Sequence, residues 1–232
     1  RDPREGYVYP AIRREGATPG RRPLETYHGE SFISWIESEL ARNPEHKPFR
    51  ILDVGGGSGL YTEQLREKFG DTVSAYSTGL RKAPTRMQRA QLRAQKSLNY
   101  RLPDGVEIGH DIHLNDLKWR SILQLSDFEE FDLIVDTAGE FAYAVDNSED
   151  ARRYVQAVIH KLLVGGKASI AFLSSKQKFF VESVLIELGQ NPRYENIFSF
   201  ALFKNTDPIV ISHESEYILK ITKEKSLEIR KI

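Results

Sequence analysis

Acidic residues and glycines in this sequence lie where short apolar segments end. The segment RILDV brings Asp53 close to its end, and four of the next five positions, 55–59, are glycine. Glycine loses more conformational freedom on folding than any other residue, so this cluster predicts a backbone shape, or an approach by another molecule, that a Cβ would forbid. Because a strand is predicted before it and a helix after it, the turn faces the crevice where open α/β sheets bind ligands.

Three ligand-binding patterns compete for this glycine run. A phosphate-binding P-loop requires lysine after its last glycine, whereas Leu60 and Tyr61 follow here. The dinucleotide fingerprint G-x-G-x-x-G fails in both registers, because its third position holds Leu60 or Thr62. The pattern that fits is Asp-x-Gly-x-Gly-x-Gly over residues 53–59. The run therefore disfavours P-loop proteins and nicotinamide-dependent oxidoreductases.

A second group of polar residues follows the apolar segment FDLIVD. Asp136 ends that segment, and Glu140 and Tyr143 come soon after it. Carboxylate and phenol side chains can orient a substrate or remove a proton from it, so the three are candidate catalytic residues. The structural alternative is that Asp136 caps a helix and that Glu140 and Tyr143 are ordinary loop or helix polarity. Both interpretations stay open at this point.

These two groups need a scaffold that brings strand ends together. Apolar strands alternating with helical segments predict a parallel sheet covered on both faces, in one domain. Two late strands without a long helix between them, NIFSFALF and SEYILKIT, predict an antiparallel pair at the sheet edge. The earlier strands are predicted at 49–54, 73–76, 106–109, 131–136 and 168–173, and the helices at 31–40, 59–69, 84–99, 116–126, 148–163 and 179–188.

Local signals set some of these boundaries. Asp146 followed by Glu149 predicts a capping-box start for the helix at 148–163. The pair Gly165-Gly166 predicts the end of that helix and the turn into the next strand. Residues 1–28, which are rich in arginine, proline and glycine, are predicted to form an irregular arm.

The glycine pattern, together with the order of these elements over roughly residues 45–222, resembles the class I S-adenosylmethionine-dependent methyltransferases. The resemblance implies an α/β, Rossmann-like, doubly wound fold with a mostly parallel seven-stranded sheet and an antiparallel C-terminal strand pair. It also implies an N-terminal arm and helix over 1–44 and a methyltransferase domain over 45–232. The expected cofactor is S-adenosyl-L-methionine.

The resemblance further implies where the cofactor lies. In that family the acid before the glycines accepts a hydrogen bond from the cofactor's ammonium group, an acidic loop after the third strand contacts the adenine, and a polar residue ends the fourth strand beside the methyl group. The cofactor-binding residues implied for this chain are Asp53, Gly55, Gly57, Gly59, Ser77, Thr78, Asp111, Ile112 and Asp136.

The end of the second strand departs from the family pattern. The family usually carries an acid there that binds both ribose hydroxyls, whereas this chain has Ser77 and Thr78. Hydroxyls bind a ribose without charge assistance, so each bond is weaker. The leading hypothesis is an active methyltransferase that acts on a small molecule or a protein. The alternative is a non-catalytic binding or scaffold module with weakened cofactor affinity.

Several features narrow the acceptor and exclude other chemistry. DTAG replaces the [DN]-P-P-[YF] sequence of the nucleobase and glutamine methyltransferases, which disfavours that subclass. No metal is predicted, because HDIHLND follows a strand and FLSSKQK lacks the Asp-Asn pair of the metal-dependent type. Seven basic residues and no acid lie within 81–101. This stretch would suit nucleic acid, but a solvated amphipathic helix is the favoured interpretation.

The composition of the chain limits its possible partners, chemistry and location. Lysine and arginine together number 33, as do aspartate and glutamate, so the net charge of zero gives no overall attraction to nucleic acid. The absence of cysteine excludes disulfides, thiolate metal sites and cysteine nucleophiles. No apolar run predicts a membrane span or signal peptide, so a cytoplasmic location is expected. Because the sequence begins without methionine, an excised piece of a longer protein is also an expectation.

Overall fold

Seven strands form one sheet in the computed structural model, in the order β3-β2-β1-β4-β5-β7-β6. The structure describes residues 27–29, 32–42, 48–55, 60–78, 117–118, 122–125, 130–137, 139–172, 174–205 and 216–227. The strands are β1 (Phe49–Asp53), β2 (Val73–Thr78), β3 (Leu117–Lys118), β4 (Phe131–Thr137), β5 (Leu162–Phe172), β6 (Phe198–Lys204) and β7 (Tyr217–Lys223). The α-helices are α1 (Phe32–Ala41), α2 (Leu60–Phe69), α3 (Glu140–Ala144), α4 (Ser148–Lys161) and α5 (Ser175–Gln190).

The direction of the strands confirms the predicted fold class. β1 pairs in parallel with β2 on one side and with β4 on the other, and the pairs β2–β3 and β4–β5 are also parallel. β7 is antiparallel to both β5 and β6, as the two late apolar segments predicted. The strand order reverses between β1 and β4, and the carboxyl ends at such a reversal are where open α/β sheets bind ligands.

Each face of the sheet buries a separate apolar cluster. Successive side chains of a strand point to opposite faces, so Ile134 of β4 belongs to one cluster and Val135 to the other. α4 and α5 cover the face of Ile134, and α1 and α2 cover the face of Val135. In α1, Phe32 and Ile36 are one turn apart and both point into the second cluster. Because the helices cover the two faces of the sheet, the carboxyl ends of the central strands are where its polar side chains can meet.

The start of α4 differs by one residue from the predicted capping box. The N-cap is Asn147, whose side-chain oxygen accepts from the Asp150 amide at 2.9 Å, while Asp146 is exposed. An N-cap side chain must reach an amide in the first turn, and the spacing from Asn147 to Asp150 meets that requirement. The Asn147 amide group also donates to the Asp150 carboxylate at 2.8 Å, which closes the pair.

Replacing Asn147 with alanine is expected to lower the free energy of unfolding by about 1 kcal/mol, because the first turn of α4 loses its acceptor. Urea unfolding of the variant measures this change. Asp146→Ala, at the position that the sequence pattern favoured, is the matched control and should change stability less. The reverse order of effects would place the cap at Asp146.

Two further boundaries differ from the predictions. The segment 116–126, predicted to be helical, contains β3 and a 3-10 turn at Ile122–Gln124, because pairing with the edge of β2 overrides local helical periodicity. β5 begins at Leu162, so Gly165-Gly166 lies inside the strand at a register irregularity and does not end α4. Gly165 has a φ of +82°, which favours glycine there. The strand predicted at 106–109 and the helix predicted at 84–99 lie outside the described residues.

The described helices of ten or more residues pack on the two faces of the sheet. The longest, α5, has 16 residues. Within the described ranges, no helix is both long and apolar enough to cross a membrane.

Candidate functional site

The polar residues at the strand ends meet at one edge of the sheet. Asp53, the last residue of β1, is in register with Ser77 of β2 on one side and with Val135 of β4 on the other. Asp136 and Thr137 come next along β4. The structure therefore brings Asp53, Ser77 and the end of β4 together at the point where strand order reverses, as the sequence pattern required.

The Asp53 carboxylate is buried without a partner. Its side chain is 0% exposed, and neither carboxylate oxygen has a hydrogen-bond partner among the described residues. Burial, and secondly the charge of Asp136, raise the pKa of Asp53 well above its usual value. A buried carboxylate without a donor is costly for the fold, whereas a cationic group beside it would supply both charge and hydrogen atoms. Asp53 is therefore a candidate to accept hydrogen bonds from a cationic group.

The Asp136 carboxylate, in contrast, is fully engaged inside the chain. One oxygen accepts from the Gly139 amide at 2.6 Å, and the other accepts from the Phe141 amide at 2.8 Å and the Tyr154 hydroxyl at 2.5 Å. These bonds lower the pKa of Asp136, but burial outweighs them and raises it to about 7. Asp136 thus binds amides at the start of α3, which is the structural alternative that the sequence left open.

The turns after β1 and β4 pack directly on each other. Gly55 has a φ of +68°, and a Cβ on it would lie 2.3 Å from the Glu140 amide nitrogen. A Cβ on Gly139 would lie 2.5 Å from the Val54 carbonyl oxygen. At position 55, therefore, the approach that requires glycine is made by the chain itself. Gly56, Gly57 and Gly59 lie outside the described residues.

Both hydroxyls at the end of β2 have partners within the chain. Ser77 and Thr78 are 0% exposed. The Thr78 hydroxyl accepts from the Gly55 amide at 2.7 Å, and the Ser77 hydroxyl lies within donating distance of the carbonyl oxygens of Asp53 (3.3 Å) and Thr78 (3.2 Å). A ribose at this position would have to compete with these bonds.

Of the other predicted site residues, the structure describes Glu140 and the backbone of Tyr143. Glu140 begins α3, and its carboxylate accepts from the Ile122 amide at 3.0 Å, which ties α3 to the 3-10 turn. The backbone of Tyr143 is part of α3, but its side chain is not among those described. Asp111 and Ile112 also lie outside the described residues.

Tyr154 was not among the predicted site residues. Its buried hydroxyl donates to Asp136, and burial with the nearby carboxylates raises the pKa of Tyr154 well above its usual value. Tyr154 lies on the apolar stripe of α4 with Ala151, Val155 and Val158, so its spacing indicated only a core position.

Tyr27 and His28 were predicted to lie in an irregular arm, whereas both are buried against the sheet. One ring nitrogen of His28 lies 2.8 Å from the Ser169 hydroxyl, and the other lies 2.9 Å from the Thr137 hydroxyl. Burial, and secondly the charge of Lys220, lower the pKa of His28 to about 3. The neutral imidazole therefore links the ends of β4 and β5 through one donated and one accepted bond.

No group of three or more metal-binding side chains occurs within the part of the chain that the structure describes. His110, Asp111, His113 and Asp116, which the sequence analysis considered, lie outside that part.

Two solved methyltransferase structures resemble the chain along most of its length. Magnesium protoporphyrin IX methyltransferase from Synechocystis PCC 6803, solved with bound S-adenosylmethionine, is 13% identical, with a TM-score of 0.50 over 95% of this chain and 89% of that one. A candidate O-methyltransferase from Klebsiella pneumoniae is 12% identical, with a TM-score of 0.51 over 97% and 91%. No protein-family profile matches the chain, and no curated protein is similar to it in sequence. At these identities the likeness is one of fold.

Proposed function

We propose that this chain, which has the class I methyltransferase fold, binds S-adenosyl-L-methionine at the carboxyl ends of β1 and β4 and transfers its methyl group to a small-molecule or protein acceptor. The observation that carries the proposal is the Asp53 carboxylate, which is buried at the strand-order reversal and has no hydrogen-bond partner on either oxygen among the described residues. Native proteins pair nearly all of their buried polar atoms, so an orphaned carboxylate in this position indicates a group that arrives from outside.

One group of residues binds the cofactor, and another orients the acceptor. Asp53 accepts hydrogen bonds from the ammonium group, which is a charge-assisted contact, and the glycine turn lets the ligand come close to the backbone. When bound, the cofactor supplies a methyl group on a positively charged sulfur. The positive charge makes the rest of the cofactor, a thioether, a good leaving group. The protein's main task is therefore to align the acceptor with the methyl group. Asp136, Glu140 and Tyr143 are the proposed residues for orienting or deprotonating it.

Calorimetric titration with S-adenosylhomocysteine tests the binding step. We expect the wild type to bind, and Asp53→Asn to bind about 10- to 100-fold more weakly, because a charged hydrogen bond contributes about 1.5–3 kcal/mol. Asp71→Asn, an exposed acid in the 3-10 turn before β2, is the matched control and should bind as the wild type does. Absence of wild-type binding at millimolar ligand would refute the proposal. Equal affinity in a folded Asp53→Asn variant would put the ammonium contact elsewhere.

One observation favours a second candidate, a binding module that keeps the cofactor site but does not transfer the methyl group. The carboxylates of Asp136 and Glu140 are both bonded to backbone amides of the chain, so both have a structural task besides any catalytic one. Incubating the protein and a cell lysate with a cofactor radiolabelled in its methyl group separates the candidates. Binding without incorporation of label supports the module, and incorporation supports the enzyme.

A further inference from the structure

We infer that the end of β2 holds the glycine turn of the cofactor site in place and does not bind the ribose, so that the ribose hydroxyls contribute little to ligand selection. The inference rests on the proposed function and concerns the specificity of the same site. It is carried by the buried contacts of Ser77 and Thr78 and by the absence of an acid from this part of the sequence.

The first step is the bond between Thr78 and the glycine turn. The Thr78 hydroxyl accepts from the Gly55 amide at 2.7 Å, across the 23 residues that separate them. Gly55 has a positive φ and its backbone packs against Gly139 and Glu140, so its amide has a fixed direction. The Gly55 amide is part-buried, and an amide that is shielded from water and has no acceptor destabilises the fold. The Thr78 side chain therefore stabilises the conformation of the glycine turn.

The second step is the environment of Ser77. It is fully buried and in register with Asp53, and its hydroxyl points to carbonyl oxygens of β1 and of its own strand. A hydroxyl has one hydrogen to donate, and these carbonyls compete for it. An acid at this position would need a hydrogen-bond donor of its own, because the two nearest bonded groups, the carbonyl oxygens of Asp53 and Thr78, are both acceptors. Serine is compatible with those acceptors and leaves no charge for a ribose.

The third step comes from the sequence that follows. From Val73 to Pro103 there is no aspartate or glutamate. Neither β2 nor the 25 residues after it can therefore supply the carboxylate that accepts hydrogen bonds from both ribose hydroxyls in the family. β2 itself has no charged side chain, so any contact from β2 to a ribose is a neutral one, which contributes less than about 1.5 kcal/mol. Selectivity then depends on the amino-acid end of the ligand, where Asp53 lies.

Calorimetry on the wild-type chain with three ligands tests the inference: S-adenosylhomocysteine, its 2′-deoxy analogue and its 3′-deoxy analogue. We expect each deoxy analogue to bind less than about tenfold more weakly than the parent ligand, which is the limit for loss of a neutral hydrogen bond. A loss above tenfold for either analogue would overturn the inference while leaving the proposed function standing. Failure of the parent ligand to bind would overturn both.

The variant Thr78→Val tests whether Thr78 acts through the turn. Without its acceptor the part-buried Gly55 amide loses its hydrogen bond within the chain, so the ligand-free protein should melt about 2–6 °C lower. S-adenosylhomocysteine and its 3′-deoxy analogue should lose affinity by the same factor, within about twofold. Thr78→Ser, which keeps the hydroxyl, should restore both properties. Weakening of the parent ligand alone would identify a direct ribose contact, and an unchanged melting temperature would remove the positioning role. If Thr78→Val does not fold, the deoxy analogues decide the question.

Discussion

Replacing Gly139 with alanine is expected to lower the free energy of unfolding by about 3 kcal/mol. The added Cβ would lie 2.5 Å from the Val54 carbonyl oxygen and 2.9 Å from an Asp136 carboxylate oxygen. The first of these atoms is backbone, so relief requires the turns after β1 and β4 to move apart. That movement would also strain the bonds from the Gly139 and Phe141 amides to Asp136. Urea unfolding measures the loss.

Gly189→Ala is the matched control for this substitution. Gly189 lies in α5, where a Cβ would meet nothing within 4 Å. Alanine there should raise the free energy of unfolding by about 0.5–1 kcal/mol, because glycine is a poor helix former. If Gly139→Ala were as stable as Gly189→Ala, the two turns would not be in the contact described. If Gly139→Ala folds, its affinity for S-adenosylhomocysteine should also fall, since the separated turns carry Gly55 away from Thr78.

The contribution of Asp136 to the stability of the chain is expected to fall as the pH rises from about 4 to 7, whereas that of His28, whose pKa is lowered to about 3, rises with pH up to its ordinary pKa of 6.5. Burial raises the pKa of Asp136 to about 7, whereas an aspartate in the unfolded chain ionises near its usual value of 3.8. Between these two values the folded state binds more protons at Asp136 than the unfolded state, so this contribution decreases with pH. For Asp136 alone the decrease amounts to about 4 kcal/mol at most. The raised pKa of Asp53 acts in the same direction.

Unfolding by urea at a series of pH values measures this dependence. Asp136→Asn removes the titrating carboxyl group, so the slope of its stability against pH between pH 4 and 7 should be more positive than that of the wild type. Asp71→Asn, which removes an exposed carboxylate, should keep the wild-type slope. Identical slopes for the wild type and Asp136→Asn would show that the Asp136 carboxyl group ionises normally in the folded chain.

Much of the scaffold follows from local pattern. The glycine run after β1 and the alternation of apolar strands with helices predicted the parallel sheet, and the two late apolar segments predicted its antiparallel edge. The same logic brought Asp53 and Asp136 to neighbouring strand ends, because parallel strands present their carboxyl ends together. These features depend on periodicity and order, which a sequence displays directly.

The contacts that decide what each site residue does are not local. Thr78 bonds to Gly55 because β2 pairs with β1, and Tyr154 reaches Asp136 because α4 packs on the face to which that carboxylate points. Neither partner lies within a helical turn of the other in sequence. For the same reason β3 was predicted as helix, since its pairing with the end of β2 has no signature in its own residues. Spacing predicts where a residue lies, whereas the bonds of its side chain depend on the assembled sheet.

The His28 imidazole has a consequence for how the chain folds during synthesis. Its two partners, Thr137 and Ser169, follow it by 109 and 141 residues. At about 5–20 residues per second, the ribosome needs about 7–30 s after making His28 before it adds Ser169. Until Ser169 is made, the imidazole can form at most one of its two native side-chain bonds, the bond to Thr137. The segment at His28 thus reaches its native contacts only after β5 has been made, although it is synthesised well before β5.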